Sequence, residues 1–219
     1  AIAAIPARWA LEQRDWKAAA RLEPSSVDLT WRIMPYAPAI THYARALGAA
    51  RSGDLSGARA AVGELEKIHA GLVKSPVPGP YDWAAQVDSM RLAAAAWVAY
   101  GEGRKTEALK TARSAADLED KTGKHAVTPG VPLPARELLA DMLLETGRPE
   151  EALTEYEASL AEAPNRFNGL SGAARAAGLS KKTDLARKYS EQLLDQCVAS
   201  SERPELAEAR RLRVAGKGP

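Results

Sequence analysis

Aromatic residues are scarce in this sequence: they make up 5% of its 219 residues, and only one is Phe. Sheet cores favour β-branched and aromatic side chains that fit a pleated surface, so this scarcity argues against a compact β core. Cysteine is scarcer still. Cys197 is alone, which excludes an internal disulfide, and its place in the stripe Leu193, Leu194, Cys197 reads as a small buried hydrophobe rather than a reactive thiol. No run approaches the ~18 apolar residues of a membrane-spanning helix, so membrane insertion is not expected. Neither sign of charge dominates, with 30 Lys plus Arg against 28 Asp plus Glu. Binding to nucleic acid through counterion release needs a basic stripe. The densest basic run, Arg210, Arg211, Arg213 and Lys217, reads as a solvated tail, so no nucleic-acid partner is expected. The chain opens Ala1-Ile2-Ala3-Ala4-Ile5 with neither a methionine nor a basic n-region. A processed chain or a piece of a longer one is expected, soluble, and cytoplasmic or, with a leader removed, periplasmic or secreted.

Signatures of chemistry are missing as well. His42, His69 and His125 lie far apart, with no helical i, i+4 pair and no short loop pair, so neither a metal nor a cofactor is expected. There is no P-loop, no G-x-G-x-x-G and no Ser–His–Asp order. Ser52-Gly53-Asp54 and Gly101-Glu102-Gly103 read as hairpin turns rather than phosphate cradles. Glu137 and Asp141, four residues apart, share one helix face and read as groove charge rather than an acid–base pair. An enzyme is not expected.

What the sequence does hold is 46% apolar residues, mostly Ala and Leu, strong helix formers that let helices approach closely. Their arrangement repeats. The clearest unit runs from Pro134 through Ala140, Gly147, Ala152 and Tyr156 to Pro164: an amphipathic helix, a Gly turn, a second helix opening on acidic residues, and a closing Pro. Ala174 and Ala186 lie 34 residues after Ala140 and Ala152. The same twelve-residue pairing recurs as Ala96 with Ala108, Ala46 with Ala58 and, more weakly, Ala7 with Ala19. Small residues at both places let two helices of a hairpin cross in close contact. Wider spacing elsewhere implies insertions of about 5, 16 and 10 residues relative to a 34-residue period. They map to Pro24–Pro38, Val73–Trp83 and Thr122–Pro134, each rich in Pro, Gly or Ser, and are expected to be loops.

This pattern resembles the tetratricopeptide (TPR) consensus in its two small-residue positions, its Tyr156 and its Pro164. The resemblance implies an all-α fold: an α-solenoid, or TPR-like superhelix, of about five antiparallel helix hairpins plus a C-terminal end helix. The whole of 1–219 is expected to be one such domain, with repeats near 1–23, 39–72, 84–120, 133–164 and 165–199 and an end helix over 203–213. One departure stands out: the fifth turn carries Ser180-Lys181-Lys182 where a Gly-Asp pair is usual.

By the same resemblance, one face of each first helix lines a concave groove, placing there Tyr43, Leu47, Trp97, Tyr100, Glu137, Asp141, Asn168, Ser171 and Arg175. TPR domains that clamp a C-terminal carboxylate use Lys and Asn at set first-helix positions. Here those positions hold Tyr43, Ala93, Glu137 and Ser171, without a Lys, which disfavours that partner. The run Ala115 to Asp120, then Lys124-His125-Ala-Val-Thr128-Pro129-Gly130, then Pro134-Ala-Arg136-Glu137-Leu resembles one group of bacterial TPR proteins. Pro164-Asn165-Arg166 and Gly172-Ala-Ala-Arg175 continue that likeness, which implies the C-terminal half of a longer helical-repeat protein. It groups His125, Thr128, Arg136, Asn165 and Arg166 as a loop cluster. The expected function is a scaffold or adaptor that holds a peptide or partner helix in its groove, self-association being left open. The alternatives are a small-molecule or sensor pocket under loop 122–134, or a structural part of a larger protein whose activity lies elsewhere.

Overall fold

The computed structural model describes residues 4–24, 34–125, 130–198 and 203–214. The described residues form eleven helices and no strand. They are α1 (Ala4–Glu12), α2 (Trp16–Ala20), α3 (Pro38–Ser52), α4 (Leu55–Lys74), α5 (Trp83–Gly101), α6 (Lys105–Thr122), α7 (Ala135–Glu145), α8 (Pro149–Glu162), α9 (Phe167–Leu179), α10 (Thr183–Asp195) and α11 (Pro204–Val214). The described residues are thus all-helical in class, and the chain divides into two compact units, residues 1–135 and 136–219.

Five times a helix ends, turns within three residues and starts again, always by the same scheme. A backbone N–H reaches five residues back: Asp15 to Ala10, Asp54 to Ala49, Arg104 to Ala99, Arg148 to Leu143 and Lys182 to Ala177, each at 2.9 Å. The preceding residue reaches three back and adopts a left-handed conformation, with φ of 54° at Arg14, 87° at Gly53, 82° at Gly103, 74° at Gly147 and 59° at Lys181. Together these bonds make a Schellman close, which satisfies the last carbonyls of the first helix. The second helix then starts at once. Asp15 and Asp54 cap it by accepting from the N–H of Ala18 and Gly57, whereas Arg104, Arg148 and Lys182 occupy the same place without a side-chain cap. The fifth turn therefore has the geometry of the others despite its Lys181.

All ten paired alanines are at most 2% exposed, from Ala7 and Ala19 to Ala174 and Ala186. In unit 1 the approach is closest where α3 crosses α2. A Cβ on Gly48 would stand 2.4 Å from the Ala20 amide nitrogen, so only glycine fits. In unit 2 a Cβ on Gly172 would fall 2.2 Å from the Tyr156 ring. There α11 packs on α9 and α10, burying Leu206 and Ala209. The loop over 75–82 carries three prolines and ends on Asp82, which caps α5 through the Ala85 N–H. Of the expected Pro24–Pro38 loop, residues 25–33 lie outside the described residues.

Candidate functional site

Positions three before and one after the small alanine of a first helix are four apart and share one face. The face expected to be open is covered. Tyr43 is fully buried, and its hydroxyl donates to the Leu133 carbonyl at 2.7 Å. Arg8, at the equivalent face of α1, donates to the Gly130 carbonyl at 2.6 Å. The end of the 122–134 insertion thus lies on the first-helix face of unit 1, with Pro132 and Leu133 buried and Val131 half-buried. The connection is tied down elsewhere too: Tyr81 donates to the Gly123 carbonyl, and Glu119 accepts the Ala135 N–H at 3.0 Å.

His125 enters an aromatic cluster beside this segment. Tyr36 stacks on Trp83 with ring centres 3.4 Å apart, and Tyr81 meets Trp83 edge-on. The imidazole lies 5.1 Å from both Tyr81 and Trp83. Burial raises the pKa of Tyr36 and, aided by the negative charges of Glu119 and Asp82, that of Tyr81. Thr128, grouped with His125 from the sequence, lies outside the described residues.

Trp97 and Tyr100 meet edge to face at 5.2 Å, with Trp97 only 2% exposed and Tyr100 half-buried. The Arg51 guanidinium sits over the Trp97 ring at 4.2 Å and over the Trp16 ring at 5.2 Å. A cation between two indoles rigidifies these helix ends, and little of Trp97 is left for a ligand to touch.

In unit 2 the same face is closed by side chains. Glu137 is fully buried and accepts from Arg166 through both carboxylate oxygens, at 2.5 and 3.1 Å. Asp141, 6% exposed, accepts from the Tyr156 hydroxyl at 2.5 Å. Asn168 is buried and accepts from Arg203, whose guanidinium also lies 3.8 Å over the Phe167 ring. Arg136 pairs with Glu155. Ser171 is half-buried, Asn165 is exposed, and Arg175 is exposed with its guanidinium 3.8 Å from Glu208. The expectation of an open face through Tyr43, Trp97, Glu137, Asp141 and Asn168 is therefore corrected: these five are buried, each against a side chain or segment of its own unit.

The residues that matter most here and were not singled out from the sequence are Arg8, Leu133, Arg51 and Arg203. Arg8 carried a usable signal, since it follows Ala7 as Trp97 follows Ala96. The other three act across long sequence separations that no local pattern marks. Among the described residues no group of three His, Cys, Asp or Glu stands where it would hold a metal ion, and no helix is long and apolar enough to cross a membrane. No family model matches the chain, and no curated protein or solved structure matches it.

Proposed function

We propose that the chain is a TPR-like α-solenoid serving as a scaffold or adaptor, whose first helices hold a segment of a partner protein. The observation that carries this reading is the fivefold repetition of one hairpin: the same Schellman close and the same buried alanine pair. An array of equivalent helices presents side chains at regular intervals, which suits an elongated ligand better than a small compact one. Tyr100, Ser171 and Arg175 are the expected face residues that retain surface, and the two long side chains among them, Tyr100 and Arg175, are the positions where a partner would be felt.

The test is photo-crosslinking from an unnatural side chain at position 100 or 175, followed by identification of the captured chain. Capture of one defined protein segment, weakened by substitutions at the other position, supports the scaffold reading. Crosslinking no stronger than from a control position on a second helix, such as Glu64, removes it.

A further inference from the structure

We infer that the face of unit 1 carrying Arg8 and Tyr43 is a binding site for a non-helical, proline-interrupted apolar peptide, and that residues 130–134 are its built-in occupant. This inference rests on the scaffold reading and gives the ligand a chemistry.

Arg8 on α1 and Tyr43 on α3 both donate to main-chain carbonyls of the segment, those of Gly130 and Leu133. Three residues of chain reach at most roughly 10 Å, which is about the spacing of neighbouring packed helix axes. Two donors on adjacent first helices are therefore matched to carbonyls three residues apart. Donors aimed at carbonyls recognise backbone rather than sequence, and what they demand is a strand rich in acceptors.

The occupant meets that demand. Its sequence is Gly-Val-Pro-Leu-Pro, and Pro132 and Pro134 carry no N–H. Such a segment brings carbonyls to the face and few donors that would need partners of their own, so its backbone is buried at low polar cost. Leu133, 1% exposed, supplies the apolar anchor, with Pro132 buried beside it. The prolines also restrict the free segment, so less entropy is lost on seating it. Glu119 and Tyr81 hold the chain on either side, at Ala135 and Gly123. A short tether of this kind gives an effective concentration in the millimolar range, so a free peptide of the same chemistry competes poorly until the segment is weakened.

The experiment replaces residues 130–134 with Gly-Ser-Gly-Ser-Gly in the full chain and titrates a labelled acetyl-Gly-Val-Pro-Leu-Pro amide, with circular dichroism confirming helicity. Binding should be saturable and at least ~10-fold tighter than to the unaltered chain. Adding Tyr43→Phe should weaken it about 5-fold, the loss of one hydrogen bond. A peptide with both prolines replaced by alanine should bind several-fold more weakly. If the linker variant loses helicity, Leu133→Ser weakens the occupant without altering chain length and serves in the same titration. Folded variants that bind the peptide no better than the unaltered chain, or that bind it regardless of Arg8→Ala and Tyr43→Phe, overturn the inference. A folded linker variant that, screened against a random peptide library, takes other members but ignores this peptide overturns the ligand class and leaves the scaffold reading standing. One that binds no library member overturns both.

Discussion

The two units close the same helix face by different chemistry. In unit 1 the cover is a stretch of backbone, received by a neutral hydroxyl and a half-buried guanidinium: Tyr43 and Arg8 meet carbonyls. In unit 2 the cover is charge on charge, Arg166 against a Glu137 that is wholly out of solvent. A carbonyl left without its donor loses one hydrogen bond, but a buried carboxylate left without its cation keeps an uncompensated charge. The first kind of cover can be lifted cheaply. The second locks.

Breaking the lock should therefore give the largest effect. Arg166→Met is expected to destabilise unit 2 by about 3–5 kcal/mol, because it removes the guanidinium that receives the buried Glu137 carboxylate through both oxygens. The double variant Arg166→Met, Glu137→Leu should recover most of that loss, since a well-packed apolar pair replaces a buried ion pair at little cost. Urea denaturation of the three proteins decides it. Equal losses in the single and double variants would mean that packing, not charge, sets the cost.

Close helix crossings give the next contrast. Gly48→Ala drives a Cβ onto the backbone of α2, which has no rotamer to yield, whereas Gly172→Ala meets the ring of Tyr156. Both overpack the core, at a cost of about 1–3 kcal/mol, with Gly48→Ala at the upper end. Thermal unfolding that ranks them the other way would place the tighter crossing in unit 2.

Below these stands Tyr43→Phe, which removes one hydroxyl and leaves the Leu133 carbonyl without that donor. The expected loss is about 1 kcal/mol. Amide exchange should rise at Ala135 and its neighbours while the hairpin amides of α3 stay protected. A loss comparable to Arg166→Met would erase the distinction between the two covers.

The all-helical class was legible because it rests on local signals: alanines and leucines at helical spacing and a Gly or Asp at four of the five turns. The covered face was not. Resemblance placed Glu137 and Asp141 on a shared face of α7, and in the structure both are turned to internal partners, Arg166 and Tyr156, 29 and 15 residues away. A charged residue on a helix face reads as solvent-facing unless its partner is known, and here the partners sit at the start of α9 and on α8. The 122–134 insertion tells the same story. Its prolines mark it as an ordered connection, yet where it lies is set by long-range contacts, the bonds from Arg8, Tyr43 and Tyr81 and the packing of His125 on Trp83, and no spacing rule contains them.

The smallest prediction concerns the turns, which share one geometry in both units but not one residue. Arg14 in unit 1 and Lys181 in unit 2 take the left-handed conformation that Gly53, Gly103 and Gly147 take in the other three. For a residue with a Cβ that conformation costs roughly 1–2 kcal/mol, against which glycine's greater freedom in the unfolded chain offsets a part. Lys181→Gly and Arg14→Gly should each stabilise by about 0.5–1 kcal/mol. The reverse change isolates the cause: a Cβ on Gly53 meets no atom within 4 Å among the described residues, so any loss in Gly53→Ala comes from the backbone alone. Opposite shifts of similar size in the urea midpoints of Lys181→Gly and Gly53→Ala would establish that the five turns are one motif under one constraint. A neutral Lys181→Gly would mean that the lysine side chain earns its place by a contact that compensates the strain.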